Sequence, residues 1–344
     1  MQTNNIVPAL STSTVPTLRL IRTESPKTFG SQDTLFLFTD TREEVLEKIE
    51  ELWKLENLFS LSVEGRNKLI ANIVSYITYS HGRFLPIVEG DKHGFVNKLL
   101  LLSNHAHLND EVKLFSLTIA LELGLFGINV TPILGHINSQ GITLTAEGNE
   151  KDNPRGPLQE LLACWFLAKF VYKQDLNLIK NFEVDKMIKV TDKKEKALEH
   201  QPTRHKGKEV DVATPDAFVE VKDAYVDTTW SKHAFQVFSI LSRVVDESFK
   251  EKIKKVILIK GSLEPTEFSP GSKESNGSVT RKNRIVGNIL SSLETNDGFS
   301  LSEKEYLKKL EIDIYLIPLV KNQHHIRQWI KACYEALLES PQQI

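Results

Sequence analysis

The sequence predicts a mixed α/β protein of two domains, a mostly helical α+β N-terminal domain followed by a C-terminal region built on a mixed β-sheet flanked by helices. Three observations carry this reading. The chain has 344 residues, more than the roughly 250 at which a single hydrophobic core stops growing. From Pro157 onward, short apolar runs with strand character alternate with helical patterns. Charge also divides unevenly, with 12 Lys and Arg against 17 Asp and Glu over residues 1–150 and 31 against 28 over the remainder. With 26% charged residues and a mean hydropathy of −0.24, a mostly disordered or membrane-spanning chain is excluded.

Residues 1–30 read as a polar tail broken by Pro8, Pro16 and Pro26. The tail lacks the basic and apolar regions of a secretion signal. The N-terminal domain is assigned to 31–150. Within it, Leu35–Phe38 has the composition of a buried strand, and Thr39–Glu44 is a helix start with acidic residues in its first turn. Further helical patterns cover Val63–Tyr79, Gly94–Leu102 and Asp110–Leu123. Ile128–Ile142, with its β-branched residues and glycines, reads as strand and turn. His105 and His107 lack cysteine or carboxylate partners at ligand spacing and are read as surface or cap residues. Glu150–Pro157 is the expected linker.

The C-terminal domain, 151–344, opens with Leu158–Phe170, apolar nearly all round apart from Gln159, Glu160 and Lys169 and therefore a largely buried helix. Met187–Val190, Glu209–Val212 and Phe218–Val221 follow as strands, the last two joined through Pro215-Asp216 as a hairpin. Ser231–Phe249 is a helix, Val256–Ile259 a buried strand, Arg284–Leu293 a helix, Ile312–Ile317 a strand and Ile326–Leu338 a closing helix. Cys164 and Cys333 both fall in apolar helical patterns, which excludes a disulfide scaffold or paired-cysteine zinc site and predicts a reducing, cytoplasmic setting.

The chemistry lies in the hairpin. Asp211 ends one strand and Glu220-Val221-Lys222 occupies the next. A period of two puts Glu220 and Lys222 on one face, and pairing brings Asp211 beside Glu220. Two carboxylates this close repel unless a cation lies between them, and oxygen ligands suit a hard divalent ion such as Mg²⁺, with Mn²⁺ as a substitute. Such an ion polarises a phosphate and activates water, while the lysine orients that water or stabilises developing charge.

These residues and the order of elements around them resemble the PD-(D/E)XK nuclease superfamily, the restriction-endonuclease-like fold, over about residues 155–320. The resemblance implies that Asp211, Glu220 and Lys222 are catalytic. It also implies that Glu160 on the preceding helix and the Val221 carbonyl are further metal ligands, and that Gln236 on the following helix supports the site. Val210 stands where many members have proline. Arg204, Lys206 and Lys208 before the Asp211 strand, and Lys232 one turn before Gln236, are the expected phosphate contacts. Trp230 reads as a helix-entry residue with base stacking as the alternative.

The implied function is a metal-dependent endonuclease hydrolysing phosphodiester bonds in DNA, in the setting of restriction or anti-phage defence. It would act as a homodimer or within a larger nuclease complex, without a membrane. Two alternatives accompany it, a non-catalytic nucleic-acid-binding or assembly subunit and an RNA (tRNA) endonuclease. The acidic N-terminal domain is expected to serve recognition, regulation or assembly rather than to be the main DNA surface.

Overall fold

The computed structural model describes residues 35–54, 57–79, 92–106, 108–139, 155–191, 205–222, 230–262, 276–320 and 323–339. Contacts divide the chain into residues 1–32 and a compact unit, 33–344. The polar tail and most of the expected linker lie outside the described residues. The fold is mixed α/β, mostly helical, with one five-stranded mixed sheet among the described residues.

The described residues before position 140 form the helices α1 (Arg42–Lys54), α2 (Asn57–Ser60), α3 (Val63–Tyr79), α4 (Lys92–Ser103), α5 (Asp110–Phe126) and α6 (Thr131–Ser139). Local chemistry sets several of their ends. Asn109 accepts a hydrogen bond from Val112 N to open α5, and Gly127, at φ 90°, closes it in the left-handed region. Two expectations are corrected here. Leu35–Phe38 is a turn rather than a strand, because Asp40 accepts from Leu37 N and the Asn72 amide brackets both backbone groups of Phe36. Ile128–Ile142, expected as strand and turn, contains α6 instead. Asn129 accepts from Thr131 N, and Pro132 falls in the first turn, where its missing N–H leaves no helical bond unmade.

Next come α7 (Arg155–Phe166), a π-helical turn (Leu167–Val171) and α8 (Leu176–Ile179). Strands β1 (Glu183–Thr191), β2 (His205–Ala213) and β3 (Ala217–Lys222) form an antiparallel meander. Then α9 (Trp230–Leu241) and α10 (Glu247–Lys252) lead to β4 (Lys255–Ser262), parallel to β3. Helices α11 (Asn276–Glu294) and α12 (Leu301–Leu307) lead to β5 (Glu311–Pro318), parallel to β4, before the closing α13 (Gln323–Glu339). The helix expected over Ser231–Phe249 is thus two helices. Asp246 caps the second through Phe249 N, and Val244 between them forms a bridge with Val190 on the β1 edge.

The sheet separates two apolar layers. Val219, Val221, Ile257, Ile259 and Ile317 face a core shared with α1, α3, α5, α7 and α13. Phe218, Val256, Leu258, Ile312 and Ile314 face the other, with α9 and α11. The first core is continuous from Phe36 to Tyr334, so the regions assigned to separate domains on either side of residue 150 bury apolar surface together.

Alternation fails at one place, and that place organises the site. Val184 and Val212 belong to the first layer, whereas Ile188, Val190 and Val210, which share their parity, belong to the second. The β1–β2 register pairs Val184 with Val212 and Lys186 with Val210, leaving Asp185 across from Asp211. Asp185 has φ 49°, a left-handed conformation uncommon outside glycine and the Asn/Asp class. Both strands change face where these two aspartates stand.

Candidate active site

Strand β2 parts from β3 just beyond the turn. Their ladder pairs only Val212 with Val219 and Ala213 with Phe218. The turn itself is pinned. Thr214 Oγ1 accepts from Ala217 N, and Tyr172 Oη, at the end of the π-helical turn, donates to Asp216 Oδ1. Past the parting point, Asp211 replaces the lost ladder bond with its side chain, Oδ2 accepting from Val221 N at 2.6 Å. Val221 therefore enters the site through its backbone, its side chain being buried in the first layer.

Glu220 and Lys222 share the β3 face of Phe218 and alternate with Val219 and Val221, as the period of two requires, and their side chains form an ion pair. Glu160 approaches on α7, which packs on the opposite side of the sheet. Its register is held by the adjacent Gln159, fully buried, whose Nε2 donates to Pro318 O and whose Oε1 accepts from Val320 N. Carboxylates carried from the two sides of the sheet thus converge at the fork, with Asp211 acting electrostatically on both.

The site is overloaded with negative charge. Burial first, then the charges of Asp211 and Asp185, push the Glu160 carboxyl up to about 9 against the pull of Lys222. Burial and Asp211 push Glu220 up to about 7 despite the same lysine. Asp211 is also raised, by burial, with Lys222 and the Val221 N–H opposing. Burial works to lower the Lys222 ammonium, but Glu220, Asp211 and Glu160 outweigh it and hold it above its ordinary value. One ammonium does not neutralise three carboxylates. The donor set is all oxygen, the kind that suits a hard divalent cation such as Mg²⁺, although its oxygens do not close to within 4.8 Å of one another as the ligand atoms of His136, Asp185 and Glu209 do.

The electrostatics predict an inverted pH dependence of stability. Glu160 and Glu220 bind protons more tightly folded than unfolded, so between the ordinary value of 4.5 and about 9 or about 7 respectively the folded state holds more protons. Stability therefore falls as pH rises through those windows. In EDTA, melting temperature is expected to drop by several degrees from pH 5 to pH 9, on the order of a few kcal/mol. Glu160→Gln should flatten the drop, and Mg²⁺ should raise melting temperature more at pH 8 than at pH 5. A profile in EDTA indifferent to Glu160→Gln would refute this charge balance.

The remaining expected residues are placed differently. Lys206 and Lys208 are exposed on β2, opposite Val190 and Ile188, and Lys232 is exposed on α9. Arg204 lies outside the described residues. Gln236, expected to support the site, is exposed on α9, while the buried face of that helix carries His233, Ala234 and Val237. The side chain that reaches the Glu220-Val221-Lys222 strand is His233, whose Nε2 is 3.0 Å from Glu220 O. Burial, then Lys222 and Lys260, push its imidazole down to about 3, so it is neutral at physiological pH and serves as an anchor for β3. Trp230 stacks on His233, and Lys260 Nζ lies 4.5 Å from the centroid of its ring, so its ring already has partners within the protein.

Two neighbours of the fork were missed from sequence. Asp185 stands across from Asp211 and contributes to the rise at Glu160. His136, on α6, lies 3.4 Å from Asp185. An aspartate in a short strand followed by lysine carries little local signal, and His136 fell in the segment read as strand and turn. Comparison of the chain with protein-family models, curated proteins and solved structures gives no match.

Proposed function

We propose that this chain is a divalent-metal-dependent endonuclease of the restriction-endonuclease-like fold, hydrolysing phosphodiester bonds in DNA. The observation that carries the proposal is the fork between β2 and β3, where Glu160, Asp211 and Glu220 gather around one lysine with their carboxyls raised above ordinary values. The order of a helix, an antiparallel meander, a helix and a parallel strand supports it. A cation held by Glu160, Asp211 and Glu220, with the Val221 carbonyl as a further oxygen, would supply positive charge to the phosphate and lower the pKa of the attacking water.

The chain's own groups do the rest. Asp211 is fixed by the Val221 N–H, so its free oxygen is presented in one orientation. Lys222, partly exposed and held charged, places an ammonium where the attacking water and the developing phosphorane charge can meet it. His233 holds the Glu220 carbonyl, limiting movement of the strand that carries both residues. The exposed Lys206 and Lys208 on β2 and Lys232 on α9 supply phosphate contacts that give affinity without sequence reading. A restriction or defence role is an analogy from this architecture alone.

The test is incubation of the purified chain with plasmid DNA, linear duplex, single-stranded DNA and tRNA in Mg²⁺, Mn²⁺ or EDTA. Cleavage of DNA with either metal and none in EDTA is the expected result. Cleavage confined to tRNA would move the substrate to RNA. Tight DNA binding with no cleavage in any metal would favour the assembly-subunit reading.

A further inference from the structure

We propose that His136, Asp185 and Glu209 form a second metal site, for a divalent first-row transition ion such as Zn²⁺, next to the carboxylate fork. The three residues come from α6, β1 and β2, and one ligand atom from each lies within 4.8 Å of the others. An ion bonded at about 2.1 Å separates its ligands by roughly 3–4 Å. Closing the site therefore needs side-chain movements of less than about 1 Å, well within rotamer adjustment for the exposed His136 and Glu209.

The independent observation is Asp185. Its side chain is only 5% exposed, and both carboxylate oxygens are buried without a hydrogen-bond partner among the described residues. His136 Nδ1 lies 3.4 Å from Oδ2, an ion pair when the imidazole is protonated but not a hydrogen bond, and burial still pushes the Asp185 carboxyl up to about 6 against it. A desolvated carboxylate with no donor is costly, and native structures rarely leave one so. The backbone φ of 49° at Asp185 falls where the β1–β2 ladder skips one pair, with the same register on either side. A metal ion shared with His136 would satisfy both carboxylate oxygens, which the imidazole alone does not.

The chemistry separates this site from its neighbour. The fork offers only oxygen and suits Mg²⁺, whereas one imidazole with two carboxylates suits Zn²⁺, Mn²⁺ or Co²⁺. Three protein ligands leave positions open for water. The imidazole belongs to α6, so the ion would fasten the N-terminal helices to the two strands that change face beside Asp211. This gives the region before residue 140 a direct hold on the candidate active site. The inference does not require the nuclease reading, because its test measures binding and not cleavage.

The experiment is calorimetric titration of the full-length chain with Zn²⁺ in excess Mg²⁺, which keeps the oxygen-only fork occupied. Wild type, His136→Gln, Asp185→Asn and Asp211→Asn are compared, each checked for fold by circular dichroism. One Zn²⁺ per chain is expected for wild type, weakened at least about tenfold in His136→Gln and Asp185→Asn, and changed less than about threefold in Asp211→Asn. His136 is exposed, so its substitution leaves the fold intact and keeps the test decisive if Asp185→Asn misfolds. Absence of Zn²⁺ binding in wild type, wild-type affinity in His136→Gln, or loss of binding in Asp211→Asn comparable to that in His136→Gln would each overturn the proposal. Cleavage that fails in every metal leaves this result untouched, so the two readings fall separately.

Discussion

Asp211→Asn is expected to abolish metal-dependent cleavage, by at least about a thousandfold, while raising the melting temperature of the metal-free protein. A thousandfold corresponds to about 4 kcal/mol of transition-state stabilisation. Asparagine keeps an oxygen for the Val221 N–H, so the strand geometry at the fork survives. What it removes is the charge that acts on both Glu160 and Glu220. Without that charge the two glutamates no longer bind a cation together with a third oxygen anion, and activation of water is lost. In the absence of metal the same charge is repulsive, so its removal stabilises. Lys222→Ala is expected to cost about a hundred- to a thousandfold, without the gain in stability, because it strips the ammonium paired with Glu220. Cleavage measured in Mg²⁺ and melting measured in EDTA read the two effects separately. Asp211→Asn protein that cuts at wild-type rate would place the chemistry elsewhere.

At this fork the local features are legible in the sequence and the long-range pairings are not. The spacing of Asp211, Glu220 and Lys222 is local, a hairpin with a Pro-Asp turn, and strand periodicity is enough to bring the three together. Helices with strong apolar spacing and capping residues, such as Val63–Tyr79 and the one closed by Gly127, are legible for the same reason. Asp185 was not legible. Its position depends on a left-handed residue inside β1, and its partner across the ladder is 26 positions away in sequence. The change of face in both strands also broke the period-two pattern that sequence reading relies on. His136 was lost because Ile, Val and Thr around it suggested a strand. Asn129 and Pro132 were the overlooked signs of a helix start. Gln159 was visible as a polar residue on an apolar helix, yet its function, fixing the register of Glu160 by gripping the end of β5, requires the sheet to be in place.

Long-range pairing of this kind is most consequential at Lys169, whose replacement by methionine is expected to cost about 3–5 kcal/mol. Lys169 is fully buried in the π-helical turn after α7 and pairs with Glu122 on α5 and, at 2.6 Å, with Glu50 on α1. Glu122 Oε2 also accepts from the indoles of Trp53 at 2.9 Å and Trp165 at 2.7 Å, and Tyr334 Oη donates to Glu50. Burial alone would raise the Glu50 carboxyl, but Lys169 outweighs it and holds it below its ordinary value. The cluster joins α1, α5 and α13 to the helix that carries Glu160. In sequence its three charged members, Glu50, Glu122 and Lys169, stand far apart in separate helical segments. Methionine matches lysine in length but leaves Glu122 buried with no cation, which converts a satisfied network into an uncompensated charge. For a chain of this size the melting temperature should fall by about 4–7 °C. Adding Glu122→Gln to Lys169→Met removes the stranded charge and keeps an acceptor for the indoles, so more than half of the loss should return. Adding Glu122→Leu instead orphans two buried indole donors and should restore less. Denaturant unfolding of the single and double variants measures the coupling. A Lys169→Met protein within about 1 kcal/mol of wild type would mean that apolar packing alone holds the N-terminal helices to the sheet.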